Sequence, residues 1–113
     1  MSTSKETFSA LLRQLSQACE VGDLTARPMM GEYILYYRGR LFADLCDGRL
    51  LVKQTEASLR LLPDAPKQYP YEGSRHLMLR VQHPEDTALM RLLLEQMYPE
   101  LPEPKPKKRR KTE

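Results

Sequence analysis

The sequence lacks most of the features that mark membrane, secreted or disulfide-rich proteins. None of its apolar runs approaches the roughly 20 residues that a membrane-spanning helix requires. The N-terminus has neither the basic region nor the apolar core of a secretory signal. Cys19 and Cys46 are the only cysteines among 113 residues, and no CxxC spacing is present. We therefore expect two reduced thiols in a cytoplasmic protein that does not span a membrane.

Residues that carry chemistry are also scarce. The five glycines are scattered and form no GxGxxG or Walker pattern, which excludes a phosphate-binding loop. His76 follows Ser74 by two residues, but a Ser–His pair needs an orienting carboxylate, and none can be assigned. Asp44, Cys46 and Asp47 cluster around a turn without the three or four convergent ligands of a metal site. We therefore expect no enzymatic activity, no metal and no cofactor.

Charge divides the chain into two parts. The net charge is +3, yet residues 1–102 carry 12 Lys and Arg against 13 Asp and Glu, whereas residues 103–113 carry 6 against 2. The apolar content of 41% is ordinary for a globular protein. A tail with alternating prolines and dense positive charge cannot bury apolar surface. The sequence thus predicts a folded domain over 1–101 and a disordered tail over 102–113.

The tail has two interpretations. Its cations would attract nucleic acid or another polyanion, because each neutralised phosphate releases counterions. A solubilising end would have the same composition. The cations are Lys105, Lys107, Lys108, Arg109, Arg110 and Lys111.

Hydrophobic periodicity predicts three helices. Apolar residues at helical spacing indicate an amphipathic helix over 4–21, with Thr3 and Glu6 as its capping box. A short helix over 55–62 follows Thr55 as its cap. The last helix is predicted to begin at Pro84, a favoured first position, and to end before Pro99.

Three pairs ending in glycine predict hairpin turns. Arg38-Gly39, Asp47-Gly48 and Glu72-Gly73 each separate apolar segments, and type I′ turns need the positive φ that glycine adopts easily. The predicted strands lie near 30–37, 40–46, 49–54, 68–71 and 75–81. The sequence therefore predicts a two-layer α+β fold in which helices pack on an antiparallel sheet of about five strands, in the order α-βββ-α-ββ-α. An open sheet of this kind has an unpaired edge, which allows a monomer or a homodimer.

The stretch RPMMGEYILYYRGRLF, residues 27–42, combines polar and apolar residues directly before a strand. Gly31 would let the backbone bend as the chain enters the strand. Met29 and Met30 are adaptable packing residues. Arg27 and Glu32 have no evident core role, and they either pair with each other or mark a partner surface. The structural interpretation is favoured for this stretch.

The longer segment ARPMMGEYILYYRGRLFADLCDGRLLVK, residues 26–53, resembles the N-terminal domain of the TfoX/Sxy family. Arg27, Met29, Gly31, Tyr33 and the Asp47-Gly48 pair fall on the family pattern. At two positions the chain departs from it, since many members have phenylalanine at position 30 and glycine at position 32. The resemblance implies a two-layer α+β fold similar to that of secretion chaperones.

The best-known proteins of this family are bacterial regulators of natural competence that act with the cyclic-AMP receptor protein. They add a C-terminal helical domain, which the residues after Leu101 do not resemble. The resemblance therefore implies a non-enzymatic regulatory or protein-interaction domain with an unidentified protein partner. The candidate partner surface consists of the motif residues Arg27, Met29, Met30, Gly31, Glu32 and Tyr33. The alternative is a protein that binds DNA or RNA non-specifically through the basic tail.

Overall fold

The computed structural model describes residues 4–29 and 32–102, which form three helices and a six-stranded antiparallel sheet. The strand order across the sheet is β1-β2-β3-β4-β6-β5. The helices are α1 (Lys5–Ser16), α2 (Glu56–Leu61) and α3 (Thr87–Met97), with a 3₁₀ turn at Tyr98–Glu100. The strands are β1 (Leu24–Met29), β2 (Glu32–Tyr37), β3 (Arg40–Cys46), β4 (Arg49–Val52), β5 (Lys67–Gln68) and β6 (Met78–Arg80).

The α+β class and the antiparallel sheet are as the sequence predicts, but the sheet has one strand more. Residues 24–29 form β1, which pairs along its whole length with β2, so the element order is α-ββββ-α-ββ-α. No helix in the described ranges has the length and apolarity needed to cross a membrane. Residues 103–113 of the tail predicted over 102–113, together with Thr3, Met30 and Gly31, lie outside the described residues.

Two helix boundaries differ from those predicted. Helix α1 ends at Ser16 rather than near 21, because the carbonyls of Gln17 and Ala18 accept hydrogen bonds from Arg91 of α3 instead of continuing the helical ladder. Helix α3 begins at Thr87 rather than at Pro84, with the Asp86 side chain as its N-cap. The Thr55 cap of α2 is confirmed.

Two of the three predicted hairpin turns are confirmed. Arg38 and Gly39 have φ of 51° and 82°, and Asp47 and Gly48 have φ of 53° and 74°. Positive φ at both central residues is the mark of a type I′ turn. The third pair is different, since Gly73 has positive φ but lies in a loop over 69–77 that joins two strands shorter than predicted.

The three helices cover one face of the sheet, here called the helix face. Its core combines the buried side chains of the helices with alternate residues of the strands, because successive strand residues point to opposite faces. The exception is the consecutive pair Phe42 and Ala43, where the register between β2 and β3 shifts by one residue. The buried members are Leu15, Ala18, Leu35, Tyr37, Phe42, Ala43, Leu50, Val52, Ala57, Leu79, Val81, Met90, Leu93, Leu94, Met97 and Leu101.

The opposite side, here called the open face, has no helix among the described residues. Its buried apolar cluster consists of Cys46, Leu51 and Met78. The 69–77 loop lies over this face and is held by Arg49, whose guanidinium donates to the Gln68 side chain at 2.9 Å and to the Pro70 carbonyl at 3.1 Å. The fold therefore leaves the β1–β3 part of the open face beside a fixed loop.

Candidate functional site

The motif residues surround the tip of the β1–β2 hairpin. Antiparallel pairing sets Met29 opposite Glu32 and Arg27 opposite Ile34, so these four side chains share the open face. Arg27 is exposed, and Met29 is 42% exposed. Hairpin pairing thus brings three of the predicted site residues together on one surface.

Tyr33 lies one residue along β2 and points to the helix face. Its ring stacks on Phe8 of α1, with ring centroids 3.8 Å apart and an angle of 11° between the planes. Stacked aromatic pairs contribute about 0.5–1.5 kcal/mol beyond the area they bury. The aromatic ring of this motif residue therefore helps to hold α1 on the sheet.

Glu32 connects the motif to the next hairpin. Its Oε1 accepts a hydrogen bond of 3.2 Å from the backbone N–H of Asp47, in the turn between β3 and β4. A carboxylate acceptor strengthens such a bond. The ends of two hairpins are thereby held side by side at one end of the sheet.

A cavity of about 390 Å³ lies on the open face next to these turns. Strands β1, β2 and β3 form its floor, and the 69–77 loop supplies one wall through Tyr71. The side chains that line it are Met29, Glu32, Ile34, Asp44, Cys46 and Tyr71, and Tyr33 borders it. The cavity is mainly apolar, and its described lining residues include two carboxylates, a thiol and two tyrosines.

Asp44 is the half-buried carboxylate of this cavity. Burial raises the pKa of Asp44 above its usual 3.8, because a charge is poorly solvated there. Lys53 and His76 attract the charged form and act in the opposite direction, but the desolvation effect is larger. The pairing of strands sets Asp44 between Ile34 and Leu51, which explains why its surroundings are apolar.

Cys46 is buried in the same cavity. Burial, together with the neighbouring acidic side chains, raises the pKa of the Cys46 thiol to about 12. Burial also raises the pKa of Cys19, and both cysteines are free thiols as the sequence predicts. Since the thiolate is the reactive species, neither side chain is activated as a nucleophile.

The Ser74–His76 pair has a local structural role. The Ser74 hydroxyl accepts a 3.1 Å hydrogen bond from the backbone N–H of His76. A second cavity of about 260 Å³ includes His76 together with Lys53 and Arg75, and none of its described lining residues carries a carboxylate. Among the residues that the structure describes, no three His, Cys, Asp or Glu side chains are grouped as metal ligands would be.

Sequence reasoning identified Met29 and Glu32 as site residues but missed the other half of the cavity. Asp44 and Cys46 were considered only as metal ligands. Their alternation along β3, with Leu45 on the helix face, was the signal that they share one surface. Tyr71 has no comparable signal, because its place depends on the long-range bonds of Arg49.

Comparisons with known proteins indicate the family of the chain. The family model described as the TfoX N-terminal domain matches residues 14–103. A protein of Spirochaeta aurantia, described as an uncharacterized 12.7 kDa protein in the trpE 5′ region, is 32% identical over 80 residues, which cover 71% of this chain and 70% of that protein. No solved structure matches the chain, so its likeness to secretion chaperones stays a prediction. The matched residues run from α1 through the whole sheet and α3, and the chain therefore belongs to the TfoX N-terminal domain family.

Proposed function

We propose that this chain is a non-enzymatic regulatory module of the bacterial cytoplasm that acts by binding a protein partner with its open face. The observation that carries the proposal is the partly exposed apolar surface around the cavity. Met29 is 42% exposed and Tyr71 is 53% exposed, and Ile34 and Tyr36 are half-buried on the same face of β2. An apolar surface rimmed by polar residues is typical of interaction sites.

The chemistry of the cavity supports binding rather than catalysis. Its thiol has a pKa far above neutrality and so is not activated as a nucleophile, and apolar side chains make up most of its walls. Family membership supports a regulatory role, since the resemblance is to the first domain of competence regulators. In this proposal the folded domain is sufficient for partner binding and the basic tail is dispensable.

Site-specific photocrosslinking tests the proposal. A photoreactive phenylalanine analogue would replace Tyr71 on the open face or, as a control, Leu59 of α2 in the full chain in the source cell. Both side chains are large, apolar and substantially exposed, at 53% and 43%, but they lie in different layers. We expect a distinct crosslinked protein from position 71 and none from position 59. The same product at both positions, or no product at either, would contradict the proposal.

The same experiment addresses self-association. Strand β1 is an edge of the sheet, so pairing between two copies is one form that the partner could take. Mass spectrometry of the crosslinked product distinguishes a second copy of this chain from a different protein.

The second candidate function is non-specific binding of DNA or RNA by the tail. The segregation of six cations into residues 103–113, beside a nearly neutral body, favours it. Phosphate contacts position a protein without reading bases, so little sequence preference is expected. In this case the open face would not be needed for binding.

Fluorescence anisotropy with labelled duplex DNA and with RNA tests the second candidate. The wild-type chain would be compared across a salt series with a full-length variant whose six tail cations are glutamine. If all six cations meet duplex phosphates, the limiting log–log slope against salt is about −5, and the variant loses binding. Equal binding by the two proteins, or none by either, would rule out the tail as a polyanion anchor.

A further inference from the structure

We propose that the cavity on the open face receives a lysine or arginine side chain from an apolar segment of the protein partner. This inference rests on the proposed function and specifies the chemistry of the partner. It uses the size of the cavity, the nature of its walls and the sign of its charges.

The size of the cavity suits one long side chain and its immediate neighbours. Its volume of about 390 Å³ is near the lower end of the roughly 300–1,000 Å³ that ligand pockets occupy. The floor is made by Met29 and Ile34, and Tyr71 forms the wall contributed by the loop. The aliphatic stem of lysine or arginine packs well on such a surface while its charged end reaches a polar group.

The charges of the cavity favour a cation. Glu32 and Asp44 contribute carboxylates to its lining, and none of the lysines and arginines within 4–29 and 32–102 lines it. Arg49 lies nearby, but its guanidinium is already bound to Gln68 and to the carbonyls of residues 69 and 70. The cavity therefore combines apolar walls with negative charge.

Asp44 is the specific acceptor within this arrangement. Its carboxylate makes no hydrogen bond to another side chain or backbone group in the described ranges. Lys53 and His76 influence it electrostatically, but neither forms an ion pair with it among the described residues. An incoming ammonium or guanidinium would give this carboxylate the charge-assisted hydrogen bond that it lacks.

Selection of peptides and a double-mutant cycle test the inference. Random peptides displayed on phage would be selected on the full chain, and the selected peptides would be synthesised with a fluorescent label. We expect them to share one Lys or Arg flanked by apolar residues. Selection of no peptide, or of peptides without a basic residue, would overturn the inference.

The cycle would combine Asp44→Asn in the chain with replacement of the peptide's basic residue by norleucine. Each single change is expected to weaken binding about tenfold or more, and the double change by little more than either alone, because both remove the same interaction. Asp64→Asn, in an exposed loop, is the matched control and should leave the affinity within about twofold. If the double change raises the dissociation constant by the product of the two single factors, the cation does not contact Asp44 and the inference is wrong.

The basic tail of the chain carries the same chemistry and is a competing occupant. The glutamine variant of its six cations distinguishes the two sources. If the glutamine variant binds the peptide with the same affinity as the wild type, the result supports a side chain of the partner as the occupant. If the variant binds the peptide about tenfold more tightly, the tail fills the cavity in the free chain, and the assignment to a partner is overturned. If a protein is crosslinked through position 71 but the double-mutant cycle shows no coupling, the proposed function still holds and only this inference is wrong.

Discussion

Replacing Asp44 with asparagine is expected to stabilise the fold at neutral pH, although it should remove the charge that binds a partner. The charged carboxylate is half-buried among apolar side chains, and no described residue hydrogen-bonds it. An unpaired polar group costs about 1–3 kcal/mol when it is buried, and an unpaired charge costs more, so the neutral amide of asparagine is penalised less than the carboxylate. Because Asp44 keeps some contact with water and is attracted by Lys53 and His76, we expect a gain near the lower limit, about 1 kcal/mol.

The pH dependence of this gain has a definite sign. Burial raises the pKa of Asp44 in the folded state above its usual 3.8, so the folded protein binds a proton there more tightly than the unfolded chain does. The charged form therefore destabilises the fold at pH values above the folded-state pKa, and this penalty disappears as the pH falls towards the ordinary value. The stability difference between Asp44→Asn and the wild type should consequently be largest at neutral pH and should become smaller as the pH falls through the folded-state pKa of Asp44 towards its usual value.

Urea denaturation and thermal denaturation, both followed by circular dichroism, measure the effect. For a domain of this size, about 1 kcal/mol corresponds to a rise in Tm of roughly 4–8 °C. Asp64→Asn, an equal loss of charge at an exposed position, is the control and should change stability by less than about 0.5 kcal/mol. An Asp44→Asn variant that is less stable than the wild type at neutral pH would refute the argument, since it would show that the carboxylate makes a net stabilising interaction.

Three further predictions, two for substitutions and one for a chemical modification, are based on the contacts and burial described above. Ser58→Ala removes a fully buried hydroxyl that accepts from the Thr55 N–H at 2.7 Å, and urea denaturation should show a loss of about 1–3 kcal/mol. Arg40→Lys removes a guanidinium that binds two carbonyls near the end of the folded domain and stacks on an aromatic ring. Hydrogen exchange over 98–101 should then be faster, with about 1 kcal/mol lost, and unchanged exchange would contradict the role of Arg40. Because its thiol has a pKa of about 12, native Cys46 should resist alkylation by iodoacetamide at mildly alkaline pH, and the less buried Cys19 should react first. Mass spectrometry of the alkylated protein measures the order of reaction. Rapid labelling of native Cys46 would show that its thiol is exposed.

Local chemistry explains which parts of the fold the sequence predicts well. The Arg38-Gly39 and Asp47-Gly48 turns require positive φ, so they are recognisable without knowledge of the rest of the chain. Strand β1 is less recognisable because Arg27 and Pro28 interrupt its apolar character. Pro28 is tolerated because β1 is an edge strand, and sequence periodicity alone does not reveal which strand is at an edge.

The candidate site, like the fold, could be predicted from the sequence only in part. Met29 and Glu32 stand next to each other in the motif, so their shared surface follows from one hairpin. Tyr71 reaches the cavity only because Arg49, about 20 residues earlier, binds the carbonyls at 69 and 70. Bonds of this separation leave no periodic pattern, and therefore the cavity as a whole could not be derived from the sequence.

The edges of the sheet have a consequence for behaviour at high concentration. The sheet ends at β1 on one side and at the two-residue β5 on the other. Pro28 has no N–H to donate, Arg27 adds charge to β1, and β5 is too short to template a long strand. Neither edge supports the open-ended addition of strands that produces amyloid fibrils. Concentrated solutions should therefore show no rise in thioflavin fluorescence, whereas Pro28→Val, which restores a donor to the edge, should make fibrils easier to form.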